Sequence, residues 1–174
     1  MIIQIDTREH EGERKRIEQQ LTKLGVKFIH SKLYVGDYMS LDNAKLVIDR
    51  KKNLQELCGN VAQQHERFVN ELKKALDAEI KVIILVEHSN SIKSLEDIKY
   101  WDNPRRHIKT TKLINGVSCR VNKYPKAITG KTLFKTLCTL HERYKVDYAF
   151  CSEDETGGKI VQILSGEWKT TEDG

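Results

Sequence analysis

No run of about eighteen apolar residues occurs in the chain, which excludes a helix crossing a membrane. The four cysteines, Cys58, Cys119, Cys138 and Cys151, include no C-x-x-C pair. Their scatter argues against a structural zinc site or a disulfide framework, and for a reduced, intracellular protein. The six histidines form no H-E-x-x-H motif, and His65 and His141 fall in helical stretches as structural or surface residues. The N-terminus turns acidic at Asp6, too soon for a secretory signal, so it is expected to enter the first strand directly in a cytoplasmic protein.

What is present suits one soluble domain. A chain of 174 residues, 39% hydrophobic and 32% charged, is ordinary for a globular protein. A domain of this size buries roughly 70% of its unfolded surface. After the opening strand, Ile17, Leu21 and Leu24 form one apolar stripe and predict a helix over 11–24, stopped by Gly25. Strands follow at 26–30 and 33–41, then a turn at Asp42-Asn43 and a strand at 45–48 running into Asp49-Arg50-Lys51. Asn53 caps a short helix ending at Cys58, Gly59-Asn60 interrupts it, and a longer helix is expected over 61–78. Residues 80–87, IKVIILVE, are the most apolar run and predict a strand buried on both faces. Thr129 caps a helix over 130–144, and a strand follows at 147–152. A last helix over 153–164 opens on three acids that suit its dipole, although Gly157-Gly158 weakens it. Alternating strands and helices predict a three-layer α/β domain, a central mixed sheet flanked by helices, over 1–165, with a loosely held tail over 166–174.

The sixteen residues 36–51, GDYMSLDNAKLVIDRK, carry the chemistry. Strand side chains alternate, so Asp49 and Lys51 share one face while Arg50 points away. If the hairpin closes, Asp37 approaches the same end. Two carboxylates offer hard oxygen ligands to Mg2+, which also binds substrate phosphates, and a lysine can orient water or stabilise developing charge. D-x-K recurs by chance in charged proteins, so the spacing alone favours a solvated hairpin end.

A closer match adds to this. Gly36-Asp37-Tyr38 followed by Val47-Ile48-Asp49-Arg50-Lys51 resembles the G-D-x(n)-E-R-K-x-x-x-D signature of the XPF-type structure-specific DNA endonucleases. Asp49 stands for the usual Glu, and the final Asp falls on Gln55, with Glu56 beside it. Ile5-Asp6-Thr7-Arg8-Glu9 is similar to the family's first-strand V-D-x-R-E element; Glu66-Arg67-Phe68 and the stretch 150–156, FCSEDET, fit as well. The resemblance spans residues 2–164. It implies a restriction-endonuclease-like fold and a divalent-metal-dependent endonuclease acting on branched or forked DNA in recombination or repair. Mg2+ is the implied cofactor, with Mn2+ substituting. Asp37, Asp49 and the Arg50 carbonyl are then expected to hold the metal, and Lys51 to assist water or the transition state. Asp6 and Glu9 lie at the rim, with Asp6 reaching the metal through water. Arg8 positions phosphate or pairs with the acids, and Arg67 contacts phosphate or simply faces solvent. The last helix–strand–helix unit contributes to a dimer interface in related nucleases, which allows a homodimer. Larger relatives grip duplex with a tandem helix-hairpin-helix module; no paired G-x-G hairpins occur here, so a stand-alone form is expected, suited to a prokaryotic or phage protein.

Positive charge is concentrated in residues 99–131. Lys99, Arg105, Arg106, Lys109, Lys112, Arg120, Lys123, Lys126 and Lys131 stand against the single acid Asp102, a net +8; the chain carries +5, so the remainder is −3. Tyr100, Trp101 and Tyr124 are interleaved with these cations, and Asn115-Gly116 marks a hairpin over 112–121. Cations release counterions from phosphates and aromatic rings stack on unpaired bases, so this insertion is expected to contact DNA. A solvated loop, with Tyr100 and Trp101 anchoring it, is the plain alternative. Two functional rivals remain: a catalytically silent DNA-binding or scaffold module of the same fold, and a sequence-specific restriction-type nuclease.

Overall fold

Along the strand Lys81–Glu87 (β5), Val82, Ile84 and Val86 enter one hydrophobic core while Ile83 and Leu85 enter another. A continuous aliphatic run is the sequence a strand needs when both its faces are covered. The structure, a computed structural model, describes residues 1–9, 11–88 and 91–168. Its strands and helices are Ile2–Ile5 (β1), Glu11–Lys23 (α1), Lys27–His30 (β2), Tyr38–Ser40 (β3), Asn43–Lys51 (β4), Leu54–Cys58 (α2), His65–Asp77 (α3), β5, Lys109–Ile114 (β6), Val117–Asn122 (β7), Gly130–Tyr144 (α4), Asp147–Cys151 (β8) and Thr156–Leu164 (α5).

Six strands form the central sheet in the order β2-β1-β3-β4-β5-β8. β1 and β3, and β3 and β4, pair antiparallel; β1–β2, β4–β5 and β5–β8 pair parallel. The sheet is therefore mixed. On one face Ile17 and Leu21 of α1 and Ile160, Ile163 and Leu164 of α5 meet Ile3, Ile5, Tyr38 and Ile48. On the other, Leu54 and Leu57 of α2, Phe68 and Leu72 of α3, and Leu133, Leu137 and Leu140 of α4 meet Val47 and Ile84. The three-layer α/β domain expected from the pattern is what forms. Among the described residues, no helix is long and apolar enough to cross a membrane.

Three boundaries differ from expectation, each for a structural reason. The strand expected over 33–41 shrinks to Tyr38–Ser40, because the Asp6 carboxylate captures the Leu33 N–H at 2.7 Å and Gly36, at φ +76°, turns the chain. The helix expected over 61–78 begins only at His65, after a π-turn over Gly59–Gln63. The last helix starts at Thr156, behind a 3-10 turn Glu153–Glu155 boxed by Ser152 and Glu155. Gly157 does not break it, since a Cβ there would lie 2.6 Å from Gln20 Cβ; the glycine lets α5 cross close to α1. Of the expected tail, Trp168 packs against the α1–α5 core, and residues 169–174 lie outside the described residues.

The basic insertion is rooted at its base. Trp101 packs against the α2–α3–α4 core, whereas Tyr100 is 85% exposed, so the two aromatics part company. Beyond the 3-10 turns Glu96–Tyr100 and Pro104–His107, β6 and β7 form a separate two-stranded ribbon.

Candidate active site

Strand parity brings the catalytic candidates together. Val47 faces the α2–α3 side of the sheet and Ile48 the α1–α5 side, so Asp49 and Lys51 follow Val47 while Arg50 follows Ile48. Tyr38 pairs with Ile48, and the ladder carried one residue further sets Asp37 opposite Asp49. The Asp37 N–H donates to the Ile48 carbonyl at 2.7 Å, and the Arg50 N–H donates to Asp37 Oδ2 at 2.7 Å. Lys51 Nζ sits 2.9 Å from Asp49 Oδ1 and 5.7 Å from the centre of the Phe68 ring. Gly36 is required here: a Cβ would lie 3.0 Å from the Ile48 carbonyl, at a positive φ.

These groups line a cleft of about 570 Å3, shared with Arg8, Glu9, Glu13, Lys52, Glu56, Asn60, Gln64, Arg67 and Glu71. Burial, then the charges of Asp49 and Glu9, push the Asp37 carboxyl well above the usual carboxylate range. Burial opposes the charge of Lys51, but Asp49 and Asp37 outweigh it, so its ammonium is held more tightly than usual. The cleft therefore keeps a crowded pair of acids beside a fixed cation.

Behind the pair, on the α1–α5 side, lies a charged network. Arg50 donates to Glu9 at 2.5 Å and lies 3.2 Å from Glu87 Oε2. Glu87, 3% exposed at the end of β5, also accepts from Arg16 at 2.6 Å and from Thr156 Oγ1 at 2.7 Å. Arg50 is thus locked through its side chain while its backbone N–H serves Asp37.

The other expected residues divide. Glu9 lines the cleft as anticipated. Asp6 does not: it is 1% exposed, and its carboxylate accepts from the Arg8 N–H at 2.7 Å, the Arg8 guanidinium at 2.8 Å and the Leu33 N–H at 2.7 Å. The rim position expected for Asp6 is corrected to a buried post that fixes Arg8 and the loop over 31–37. Arg8 reaches the cleft with its guanidinium half exposed, and Arg67 reaches it while paired to Glu71 at 3.6 Å. Arg105, Arg106, Lys109, Lys112, Arg120, Lys123 and Lys126 lie outside the cleft, on and around the ribbon. At the departing end of the signature, Gln55 stays out of the cleft, whereas Glu56 enters it and accepts the Lys52 N–H at 2.8 Å.

Sequence reasoning passed over Glu13, Asn60, Gln64 and Glu87. For Glu87 a signal existed, a lone acid closing an aliphatic strand; Asn60 and Gln64 reach the cleft only through the π-turn.

Sheet order, helix placement and the position of the acid pair define a three-layer domain of the restriction-endonuclease-like class. Residues 5–163 match the family model of the ERCC4 domain, and the chain belongs to that family. Among solved structures it is similar to XPF from Aeropyrum pernix, with a TM-score of 0.61 and 18% identity over 97% of this chain and 62% of that one. XPF from Aeropyrum pernix in complex with DNA is similar with a TM-score of 0.61 and 17% identity, over 95% of this chain and 64% of that one. The chain therefore spans less than two thirds of either neighbour. No curated protein matches it.

Proposed function

We propose that this domain is a divalent-metal-dependent DNA endonuclease that hydrolyses phosphodiesters at branched or forked DNA. The reading is carried by one observation: Asp37, half-buried in the cleft wall and pushed toward protonation, stands opposite Asp49 in a polar cleft with the Lys51 ammonium beside them. Two carboxylates forced together with few hydrogen-bond donors are a poor arrangement for a protein alone and a good one for a cation.

The residues fit Mg2+ chemically. Among the described residues no three His, Cys, Asp or Glu side chains cluster to enclose an ion. The protein would supply the Asp37 and Asp49 carboxylates and the Arg50 carbonyl, leaving the remaining positions to water and phosphate, as Mg2+ prefers. When bound, the ion would lower the pKa of water and neutralise charge on the phosphate under attack. Asp49 and Asp37 hold the Lys51 proton more tightly than usual, which suits it to act as a positive hydrogen-bond donor. Its contact with Asp49 and the Phe68 ring fixes the ammonium at the side of the cleft where phosphate charge would grow. The Arg50–Glu9–Glu87 network holds rigid the backbone that follows Asp49 and donates to Asp37, and Arg8 and Arg67 offer guanidinium groups to phosphates entering the cleft.

Labelled single-stranded, duplex, forked and four-way-junction DNA, each with Mg2+, Mn2+ or EDTA, test the proposal. Metal-dependent cutting of a branched substrate by the wild type, lost in Asp49→Asn and in Lys51→Ala, is the expected result. Cutting by Asp49→Asn at near wild-type rate would refute the site, and binding without cutting under every metal would establish a silent DNA-binding module instead. Sedimentation of the same samples determines whether the active species is a homodimer.

A further inference from the structure

The β6–β7 ribbon has a chemistry of its own. Its register pairs Ile114 with Val117, Leu113 with Ser118, Lys112 with Cys119 and Thr111 with Arg120 across a two-residue turn, Asn115 and Gly116, both at positive φ. Paired residues share a face and neighbouring pairs alternate. Ile114 and Val117 therefore lie on one face of the tip and Leu113 on the other. Lower on the stem, Lys112 takes the first face, and Lys109 and Arg120 take the second. A ribbon folded onto its own body would be apolar on one face only. Here the tip is apolar on both faces and open, with Leu113 77%, Val117 62% and Ile114 48% exposed.

The stem cations have no acids to answer them. Among the described residues, Arg106, Lys112, Arg120 and Lys126 make no ion pair or side-chain hydrogen bond, and Asp102 is taken by His107. The root, by contrast, is fixed. Asn103, 2% exposed, donates to the Ile128 carbonyl at 2.9 Å, and the Lys123 N–H closes the ribbon on the Ile108 carbonyl at 2.8 Å. Gly130 presses so close to Ile98 and Trp101 that a Cβ would lie 2.2 and 2.5 Å from their carbonyl oxygens. A ribbon of six-residue strands reaches about 20 Å from such a root, enough to cross a groove of duplex DNA.

Resting on the DNA reading above, we infer that this ribbon is a DNA wedge. Lys109, Lys112 and Arg120 lie along phosphates, and Leu113, Ile114 and Val117 insert between base pairs where the helix is interrupted. Apolar side chains that enter a base step must unstack it, and a step at a branch has already lost stacking on one side. The tip thus favours forks and junctions over continuous duplex, while the stem supplies affinity blind to structure.

The test is equilibrium binding of the full chain in EDTA to forked and to matched duplex DNA, with a fluorescent base analogue beside the branch reporting unstacking. Leu113→Ser/Ile114→Ser/Val117→Ser should keep its melting temperature and its duplex affinity within about twofold, lose about tenfold on the fork, and lose the unstacking signal. The single Leu113→Ser, at the most exposed tip position, should move the same way by less. Lys112→Ala/Arg120→Ala should weaken binding to both DNAs and lower the salt slope by about two. Equal loss on fork and duplex in the tip variant, no change in either, or no fork preference in the wild type overturns the wedge. A tip variant that changes oligomeric state instead of fork affinity assigns the tip to a protein interface. Because no metal or cleavage is involved, a wild type that binds forks through the tip yet never cuts DNA refutes the nuclease reading alone.

Discussion

Replacing Glu87 by Gln keeps the shape of the side chain and removes a buried negative charge that Arg16 and Arg50 share. Gln Oε1 can retain the Thr156 and Arg16 hydrogen bonds, now at 2.7 and 2.6 Å from a carboxylate oxygen, but its amide N–H2 then faces Arg50 Nη1, 3.2 Å away, donor against donor. Hydrogen bonds to a charged acceptor contribute about 1.5–3 kcal/mol and neutral ones about 1, so weakening the Arg16 bond and losing the Arg50 contact should cost about 3 kcal/mol. That is the lower end of the 3–5 kcal/mol range for breaking a buried ion pair on one side, and Glu9 and Glu13 remain near Arg50 to limit it. In a chain of this length each kcal/mol moves Tm by roughly 2–4 °C, which gives a fall of roughly 6–12 °C by calorimetry. The effect should reach the cleft, because Arg50 carries the N–H that holds Asp37. At a temperature where circular dichroism shows the variant folded, cleavage should need about 10–100-fold more Mg2+ for half-maximal rate. A Tm within about 2 °C of wild type, or an unchanged Mg2+ dependence, would refute the coupling between this network and the acid pair.

Three further outcomes are expected. Tyr38 is fully buried and, among the described residues, its hydroxyl has no hydrogen-bond partner, so Tyr38→Phe should be neutral or stabilise by up to about 1 kcal/mol in urea denaturation; a loss above about 1.5 kcal/mol would reveal a hidden partner. Asp37 binds its proton more tightly folded than at its ordinary value of 3.8, so its contribution to stability is complete at low pH and is lost as pH rises through the folded value. Metal-free melting temperature should therefore fall across that range, Mg2+ should restore more of it at higher pH, and Asp37→Asn should flatten both trends in a thermal melt. Gly130→Ala should destabilise by about 3 kcal/mol or more in urea, because its new Cβ would strike backbone carbonyls of Ile98 and Trp101 that cannot step aside; a cost below about 1 kcal/mol would mean that the ribbon root is pliable.

What was legible in the sequence was whatever a period decides. Alternation on β4 assigns Asp49 and Lys51 to one side and Arg50 to the other, and the aliphatic run 80–87 announces a strand with two covered faces; both hold because a side chain cannot change faces without shifting the whole register. Asn115-Gly116 and the caps at Asn53 and Thr129 were equally readable, since each satisfies backbone groups within a few residues. What was not legible depends on partners distant in the chain. Asp6 looks like a rim acid until Leu33, 27 residues on, donates its N–H to it. The loop over 31–37 looks like a strand until that same hydrogen bond and the turn at Gly36 remove it from the sheet.

The charged residues make the same division sharper. Arg50 by parity simply points away from the acids, and nothing local says that Glu9, Glu13 and Glu87, from three other parts of the chain, wait there. Such a network brings little net stability over an apolar core of equal volume, because desolvating the charges offsets most of their attraction. Its value here is geometric. A guanidinium held by carboxylates from β5 and from the segment before α1 cannot rotate, so the peptide that joins Asp49 to Lys51 through Arg50 stays where Asp37 needs it. The acid pair and the buried pairs behind it are thus one device seen from the two faces of β4: the α2–α3 face bears the proposed metal site, and the α1–α5 face keeps it in register.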